Sequence, residues 1–172
     1  AWLHGIARAI HESNSVLGLA NRFCRPLGAR IFWGLPPESP AAQGGGTVTG
    51  TPIRSGLWAP AETAAARLAL GLNPDLSTVL IFGGSQGAQG INRLVPKALG
   101  QAAAKGGRKI QVMHLTGAKD VEEVRRSYAL NGVAAQVLAY QEDMNAAYSA
   151  ADLVISRAGA STLAELAAFK KP

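Results

Sequence analysis

The feature that most restricts the fold is an alternation of apolar runs with helix-forming segments, which begins near residue 61 and continues to the end of the chain. The apolar runs predict strands at 77–84, 109–115, 134–140 and 152–156. Helices are predicted around and between them, at 61–71, 87–105, 119–130, 143–149 and 160–169. Strands that alternate with helices form parallel sheets with right-handed crossovers. The sequence therefore predicts an α/β fold that binds its ligand beyond the carboxyl ends of the strands.

The first 60 residues carry a weaker form of the same alternation. Strands are predicted at 7–12, 29–33 and 47–49, with one helix at 17–28. Residues 34–46 are a loop rich in Pro and Gly, and Gly and Pro cluster again at 50–60. We expect the boundary between two lobes in this second cluster.

Composition limits the classes of partner. The net charge is +6 and the basic residues are spread along the chain, which suits a polyanionic ligand or an anionic membrane surface. We expect no nucleic-acid partner, because aromatic residues make up only 6% and no binding motif accompanies the charge. The single Cys24 excludes a disulfide framework and fits a reducing cytoplasm. No apolar run reaches the roughly 18 residues of a membrane span.

The sequence GGSQGAQGIN at 83–92 follows a predicted strand and opens a predicted helix. Gly83 and Gly84 allow a sharp turn and a close approach by a ligand, and the helix start offers unpaired amides to an anion. Ser85 and Gln86 add side-chain donors. The alternative is an ordinary strand-to-helix turn, since glycine-rich turns are common. The segment is not a Walker loop, because no G-K-[ST] follows.

A second turn of this kind, SRAGASTLAE at 156–165, also links a strand to a helix. Ser161 and Thr162 can cap the helix and bind a phosphate oxygen, and the Glu165 carboxylate can accept hydrogen bonds from a ribose diol. The alternative is a capping box formed by Ser161 or Thr162 with Glu165. Two such turns at strand ends of one sheet favour a single diphosphate ligand.

Two further segments carry candidate functional side chains. In IHESN at 10–14, His11 or Glu12 could act as a base and Asn14 could bind a hydroxyl, although a His–Glu pair is more often structural. In TGTPIR at 49–54, Arg54 could reach a phosphate, although a lone Arg is usually solvated. The sequence has no D-x-D pair to hold a metal-bound diphosphate. We therefore expect no metal and no other cofactor, with helix ends and Arg neutralising the charge.

Five segments in this order resemble the MurG family, the bacterial N-acetylglucosaminyltransferases that convert lipid I to lipid II in peptidoglycan synthesis. They are IHESNSVLGLAN, VTGTPIR, LIFGGSQGAQGIN, MHLTG and AYQEDMNAAYSAADLVISRAGASTLAEL. The resemblance implies a GT-B type fold made of parts of two Rossmann-like lobes with parallel sheets. Residues 1–55 would end the acceptor lobe, which faces the membrane, and 56–172 would form the first half of the UDP-sugar lobe. The chain would then be truncated at both ends and would not transfer sugar by itself.

The resemblance also implies roles for particular residues. Ser85 would contact the diphosphate or uridine region, and Arg54 would face the phosphates. Ala160, Ser161 and Thr162 would present a helix end to the phosphates, while Glu165 would bind the ribose. The Tyr140–Gln141 backbone would pair with uracil beside Met144, and His11, Glu12 and Asn14 would lie on the acceptor side. The chain departs from the usual family residues at Ser13, Thr51, Leu115 and Gln141.

The implied reaction is inverting transfer of GlcNAc from UDP-GlcNAc to the muramoyl 4-hydroxyl of lipid I. Its lipid acceptor would place the protein at the cytoplasmic face of the bacterial plasma membrane, as a peripheral protein, where Arg8, Arg22, Arg25 and Arg30 could contact anionic lipids. One alternative is another UDP-sugar enzyme of this fold, such as a UDP-GlcNAc epimerase. A second is a nucleotide-binding module without catalysis.

Overall fold

The computed structural model describes residues 4–39, 44, 46–57, 59–84, 87–106 and 109–172. Seven strands lie within these ranges: β1 (Ala9–Glu12), β2 (Arg30–Trp33), β3 (Thr47–Val48), β4 (Ser77–Phe82), β5 (Ile110–Leu115), β6 (Ala135–Leu138) and β7 (Leu153–Ser156). The same ranges contain six α-helices: α1 (Leu19–Cys24), α2 (Thr63–Ala69), α3 (Gln89–Ala104), α4 (Val121–Leu130), α5 (Met144–Ala150) and α6 (Ala160–Ala168). Short 3₁₀ turns cover Arg25–Leu27 and Ser55–Leu57.

The chain divides into two compact units. Unit 1 comprises residues 1–54 with 159–164, and unit 2 comprises 55–158 with 165–172. The assignment of 1–55 to an acceptor lobe and 56–172 to a donor lobe stays a prediction.

Unit 1 is built on a three-stranded parallel sheet in the order β1-β2-β3. Its buried apolar residues are Ile31 and Trp33 of β2, and Trp33 stands opposite Glu12 at the end of β1. The predicted helix 17–28 is shorter than expected. It gives way at Arg25 to a 3₁₀ turn that contains Pro26, which has no N–H to donate, and the turn ends at Gly28 with φ of 79°.

Unit 2 contains a four-stranded parallel sheet in the order β6-β5-β4-β7. Helices α3 and α4 cover one face, whose buried core consists of Val79, Ile81, Val112, Val124, Tyr128, Val133 and Val137. Helix α4 contributes Val124 and Tyr128 to this core, and α3 packs against it through Ile91, Val95 and Leu99. A second cluster joins Ala66 of α2, Leu72 in the segment after α2, and Ala150 of α5. The Phe82 ring meets Tyr148 of α5 edge to face, so α5 lies on the face opposite α3 and α4. A sheet covered on both faces explains why its strands read as continuous apolar runs.

A buried arginine connects α2 to residues late in the sequence. Arg67 is 8% exposed, and its Nε donates to the Ala150 carbonyl oxygen at 3.0 Å. Its Nη2 is paired with Asp152 Oδ2 at 2.6 Å, and Nη1 donates to the Pro74 carbonyl at 2.9 Å. These bonds satisfy a charge that burial would otherwise make costly.

Candidate functional site

Two glycine-containing turns begin at the same edge of the sheet of unit 2. One follows β4 and the other follows β7, and these strands are parallel neighbours. A Cβ atom at Gly84 would lie 3.0 Å from Nη2 of Arg157, so the guanidinium of the second turn reaches the backbone of the first. Ser85 and Gln86 lie outside the described residues. The structure therefore adds Arg157 to the candidate residues, a cation that motif reading overlooked because it treated SRAG only as a helix start.

The first turn packs directly on the end of β5. Gly87 has φ of 74°, and a Cβ atom there would overlap the Thr116 carbonyl oxygen. Its N–H donates to the Gly84 carbonyl at 2.9 Å. Both the positive φ and the close approach require glycine at this position.

A chain of buried polar side chains lies beneath this turn. His114 of β5 is fully buried, with Nδ1 3.0 Å from the Tyr128 hydroxyl and Nε2 3.0 Å from Oδ1 of Asn92. Asn92 Nδ2 donates to the Thr116 carbonyl at 2.9 Å and to Asp120 Oδ2 at 2.7 Å. Its Oδ1 is therefore an acceptor, and we assign the His114 proton to Nε2 and the Tyr128 proton to the bond with Nδ1.

Burial keeps both ring groups of this chain neutral. It lowers the pKa of His114 from 6.5 to about 4. It also raises the pKa of the Tyr128 hydroxyl above its ordinary range. The chain is thus a neutral hydrogen-bond network at physiological pH.

The second turn leads into α6. Ala160, Ser161 and Thr162 form its first three helical positions, and Glu165 lies in the next turn of the helix. Oε2 of Glu165 accepts a hydrogen bond from the Tyr148 hydroxyl at 2.6 Å. A capping box needs its carboxylate at the third helical position, which Thr162 occupies. The geometry therefore does not support the capping-box alternative for Glu165.

The residues proposed for uracil follow β6 at the same edge of the sheet. Tyr140 is 59% exposed, and it lies with Gln141 in the connection between β6 and α5. Met144 is the first residue of α5. The helix is capped by Asp143, whose Oδ1 accepts from the Ala146 N–H at 3.0 Å. The connection is therefore anchored at its helical end.

In unit 1, Glu12 is the centre of a hydrogen-bond network. The residue is only 4% exposed, and its carboxylate accepts from the Gly18 N–H at 2.7 Å and from Asn21 Nδ2 at 3.0 Å. Both the N–H and the Nδ2 of Asn14 also donate to it, at 3.0 and 3.1 Å. Burial alone would raise the pKa of Glu12, but the bonds from Gly18, Asn21 and Asn14 outweigh it and lower the pKa to about 2.

His11 lies next to this network with both ring nitrogens in contact. Nε2 is 3.1 Å from the Gly50 carbonyl oxygen, and Nδ1 is 3.4 Å from the Ser13 hydroxyl. A carbonyl can only accept, so we assign the proton to Nε2 and the basic lone pair to Nδ1. Arg54 is exposed and lies after β3, just before the 3₁₀ turn Ser55–Leu57.

Two features are absent from the described ranges. No group of three or more His, Cys, Asp or Glu side chains in this part of the chain could hold a metal ion. No helix among the same residues is long and apolar enough to cross a membrane.

Comparison with known proteins identifies the class. Residues 78–172 match the family model described as the glycosyltransferase family 28 C-terminal domain, which covers more than half of the chain. The chain therefore belongs to glycosyltransferase family 28.

Curated relatives carry a more specific name, UDP-N-acetylglucosamine–N-acetylmuramyl-(pentapeptide) pyrophosphoryl-undecaprenol N-acetylglucosamine transferase. The protein from Dechloromonas aromatica is 42% identical over 98% of this chain and 45% of its own length. The one from Pseudomonas fluorescens is 41% identical over 100% of this chain and 46% of its own length. The chain thus spans about half the length of the relatives it matches.

A solved structure agrees with these relatives. The crystal structure of Acinetobacter baumannii MurG matches with a TM-score of 0.73 and 32% identity, over 97% of this chain and 44% of that one. The resemblance inferred from the motifs is confirmed, and so is the predicted GT-B type fold with parallel sheets.

Proposed function

We propose that this chain is part of an inverting glycosyltransferase that moves GlcNAc from UDP-GlcNAc to the MurNAc 4-hydroxyl of lipid I. The observation that carries the proposal is the pair of turns after β4 and β7, joined at one sheet edge by the approach of Arg157 to Gly84. Adjacent strand ends with glycine backbone and a cation suit a diphosphate. The names of the relatives supply the sugar and the acceptor.

In this proposal the diphosphate is held without a metal. In unit 2, Ser85 and Gln86 donate hydrogen bonds and Arg157 supplies positive charge. The phosphate contacts of Arg54, Ala160, Ser161 and Thr162 rest on the family resemblance alone. Negative charge builds on UDP as it departs from an oxocarbenium-like sugar. Donors that are already oriented stabilise that charge without reorganising.

The uridine end would use the residues that follow β6 together with α6. The Tyr140–Gln141 backbone pairs with uracil and Met144 flanks the base. Glu165 accepts from the ribose hydroxyls. Tyr148 supports this role because its hydroxyl, which donates to Oε2, orients the carboxylate.

In unit 1 we propose different roles for His11 and Glu12. Glu12 is ionised and its oxygens are occupied by four donors, so it holds the loop 13–18 rather than removing a proton. His11 remains the candidate base, and its Nδ1 would accept the proton from the 4-hydroxyl in place of its 3.4 Å contact with the Ser13 hydroxyl. Asn14 is fixed by Glu12 and would contact the acceptor.

We also propose peripheral contact with the cytoplasmic face of the plasma membrane through α1. Leu19 and Phe23 are 84% and 75% exposed and lie one helical turn apart, with the exposed Arg22 between them in sequence. An apolar stripe beside basic residues suits an anionic bilayer surface. Arg25 and Arg30 are also exposed, whereas Arg8 is half-buried.

Two measurements test the function. UDP titrated into the 172-residue chain should bind, while the protein encoded by the gene that carries this chain should form lipid II from lipid I and UDP-GlcNAc. Conversion of UDP-GlcNAc to its epimer without an acceptor would favour the epimerase alternative. UDP binding with no turnover in that protein would favour a non-catalytic module.

A further inference from the structure

We propose that Asn92 is a positioning residue for the diphosphate, because it holds Gly87 and the start of α3 against the end of β5. This inference rests on the proposed function only in taking the diphosphate as the ligand of the first turn. Asn92 itself is 2% exposed and belongs to the first turn of α3, so it acts through the backbone around it.

The Asn92 side chain joins three elements. Its Nδ2 donates to the Thr116 carbonyl at the end of β5 and to the Asp120 carboxylate just before α4. Its Oδ1 accepts from Nε2 of His114 within β5. Both amide hydrogens and the amide oxygen are therefore engaged, which fixes the side chain in one orientation.

The Asn92 side chain acts on the turn at Gly87 through one atom. The Thr116 carbonyl oxygen that accepts from Asn92 is the atom that a Cβ at Gly87 would overlap, so the Gly87 backbone rests on it. On the other side, the Asn92 N–H donates to the Ala88 carbonyl at 2.9 Å. Asn92 thus contacts the turn through its own backbone and supports the carbonyl on which the turn rests.

Tyr128 and His114 fix the orientation of the Asn92 side chain. The Tyr128 hydroxyl occupies Nδ1 of His114, which leaves the Nε2 proton for Asn92. A tautomer with the proton on Nδ1 would place two lone pairs face to face at Asn92 Oδ1. The buried tyrosine therefore selects the ring state that holds Asn92.

A matched control lies at the opposite end of β5. Gln111 is 6% exposed, and its amide is bonded to the Asn73 backbone and to Thr78 Oγ1, near the amino end of the strand. Asn92→Ala and Gln111→Ala each remove one buried amide network from unit 2. Only the network of Asn92 contacts the turn at Gly87, and the network of Gln111 lies at the other end of the strand.

The experiment compares both variants with the wild-type chain by calorimetry with UDP and with uridine. Asn92→Ala should weaken UDP binding about tenfold or more and leave uridine binding unchanged, because only the phosphate end moves. Gln111→Ala should leave both affinities unchanged. Equal losses of UDP affinity in the two variants, or equal losses for UDP and uridine in Asn92→Ala, would overturn the proposal.

A rescue and an independent readout complete the test. Asn92→Asp should weaken UDP binding because it sets a second carboxylate against Asp120, and adding Asp120→Asn should recover part of the loss by restoring a donor between these positions. Absence of any recovery counts against the proposal. Amide exchange at Gly87 should be faster in Asn92→Ala and unchanged in Gln111→Ala. This readout needs no ligand, so it still decides the positioning role if wild-type chain binds no UDP and the proposed function fails.

Discussion

Glu12 in unit 1 and His114 in unit 2 are both buried near the carboxyl end of a strand, yet they respond to burial in opposite ways. Glu12 keeps its charge, since the bonds from Gly18, Asn21 and Asn14 outweigh the cost of burial and bring its pKa to about 2. His114 stays neutral, since burial lowers its pKa to about 4. The hydrogen bonds around Glu12 therefore converge on a charged group, whereas those around His114 join neutral groups.

The origin of the partners explains the difference. The donors to Glu12 come from residues within nine positions along the chain, and two of them are backbone N–H groups of one loop. The partners of His114 are side chains 14 and 22 positions away, on two different helices. A loop can place several N–H groups around one carboxylate, whereas a ring inside a covered sheet meets only the side chains that the helices bring to it.

The largest expected effect comes from removing the ionised carboxylate of Glu12. Glu12→Ala leaves four donors without their acceptor and should lower the free energy of unfolding of unit 1 by about 4 kcal/mol. Denaturant unfolding followed by Trp33 fluorescence, in a background with Trp2→Phe and Trp58→Phe, measures it. Glu38→Ala is the control, since this exposed carboxylate should matter by less than about 0.5 kcal/mol.

The ionic site also has a pH signature. Because the pKa of Glu12 is lower in the folded chain than its ordinary 4.5, its stabilising contribution is complete above pH 4.5 and is lost as the pH falls towards about 2. Glu12→Gln should remove this part of the acid sensitivity. An unchanged acid transition in that variant would contradict the assignment.

The next effect tests the neutral site. Between pH 6.5 and about 4 the unfolded chain binds a proton at His114 and the folded chain does not, so stability falls as the pH falls through this window. The loss should reach about 3 kcal/mol. Chemical denaturation of unit 2 at several pH values measures it. His114→Gln should abolish the slope, while His4→Gln, at an exposed histidine, should leave it intact.

A second carboxylate, that of Glu165, extends the comparison to ligand binding. Glu165 is half-buried, and its Oε2 accepts a hydrogen bond from the Tyr148 hydroxyl. Glu165→Gln should weaken UDP binding by about 2 kcal/mol, and 2′-deoxy-UDP should lose little further affinity in the variant. Tyr148→Phe keeps the carboxylate and should cost less. Unchanged UDP affinity in Glu165→Gln would leave the carboxylate with a structural role only.

The smallest expected effect is that of chelation. If helix ends and arginines neutralise the diphosphate, UDP-GlcNAc should bind with the same affinity in calorimetry with and without EDTA. A large loss of affinity on chelation would show that a metal participates. The donor site would then depend on a metal ion and would differ from both the ionised site of Glu12 and the neutral site of His114.

Much of the fold could be predicted because its signals are local. The boundaries of the predicted strands and helices after residue 60 agree with the structure to within about two residues, since apolar runs and helical spacing depend on neighbours in sequence. The largest departure lies in the first 60 residues and also has a local cause. The predicted helix 17–28 ends at Cys24 because Pro26 has no N–H to donate.

The candidate site could be predicted only where a motif carries it. The two glycine turns were found from sequence, but their neighbouring positions depend on the strand order, which places β7 beside β4. Arg157 became a candidate site residue only because that pairing brings it close to Gly84. The bonds of Asn92 and His114 were missed because they join residues of α3 and β5 that no local pattern relates.

Arg67 has a consequence for the synthesis of the chain on the ribosome. Two of its partners, Ala150 and Asp152, are translated 83 and 85 residues later. At roughly 5–20 residues per second, the guanidinium waits for several seconds before they emerge. Until then the Arg67 charge lacks these partners, so α2 should dock against α5 only after Asp152 has emerged, when β4, β5 and β6 can already be paired.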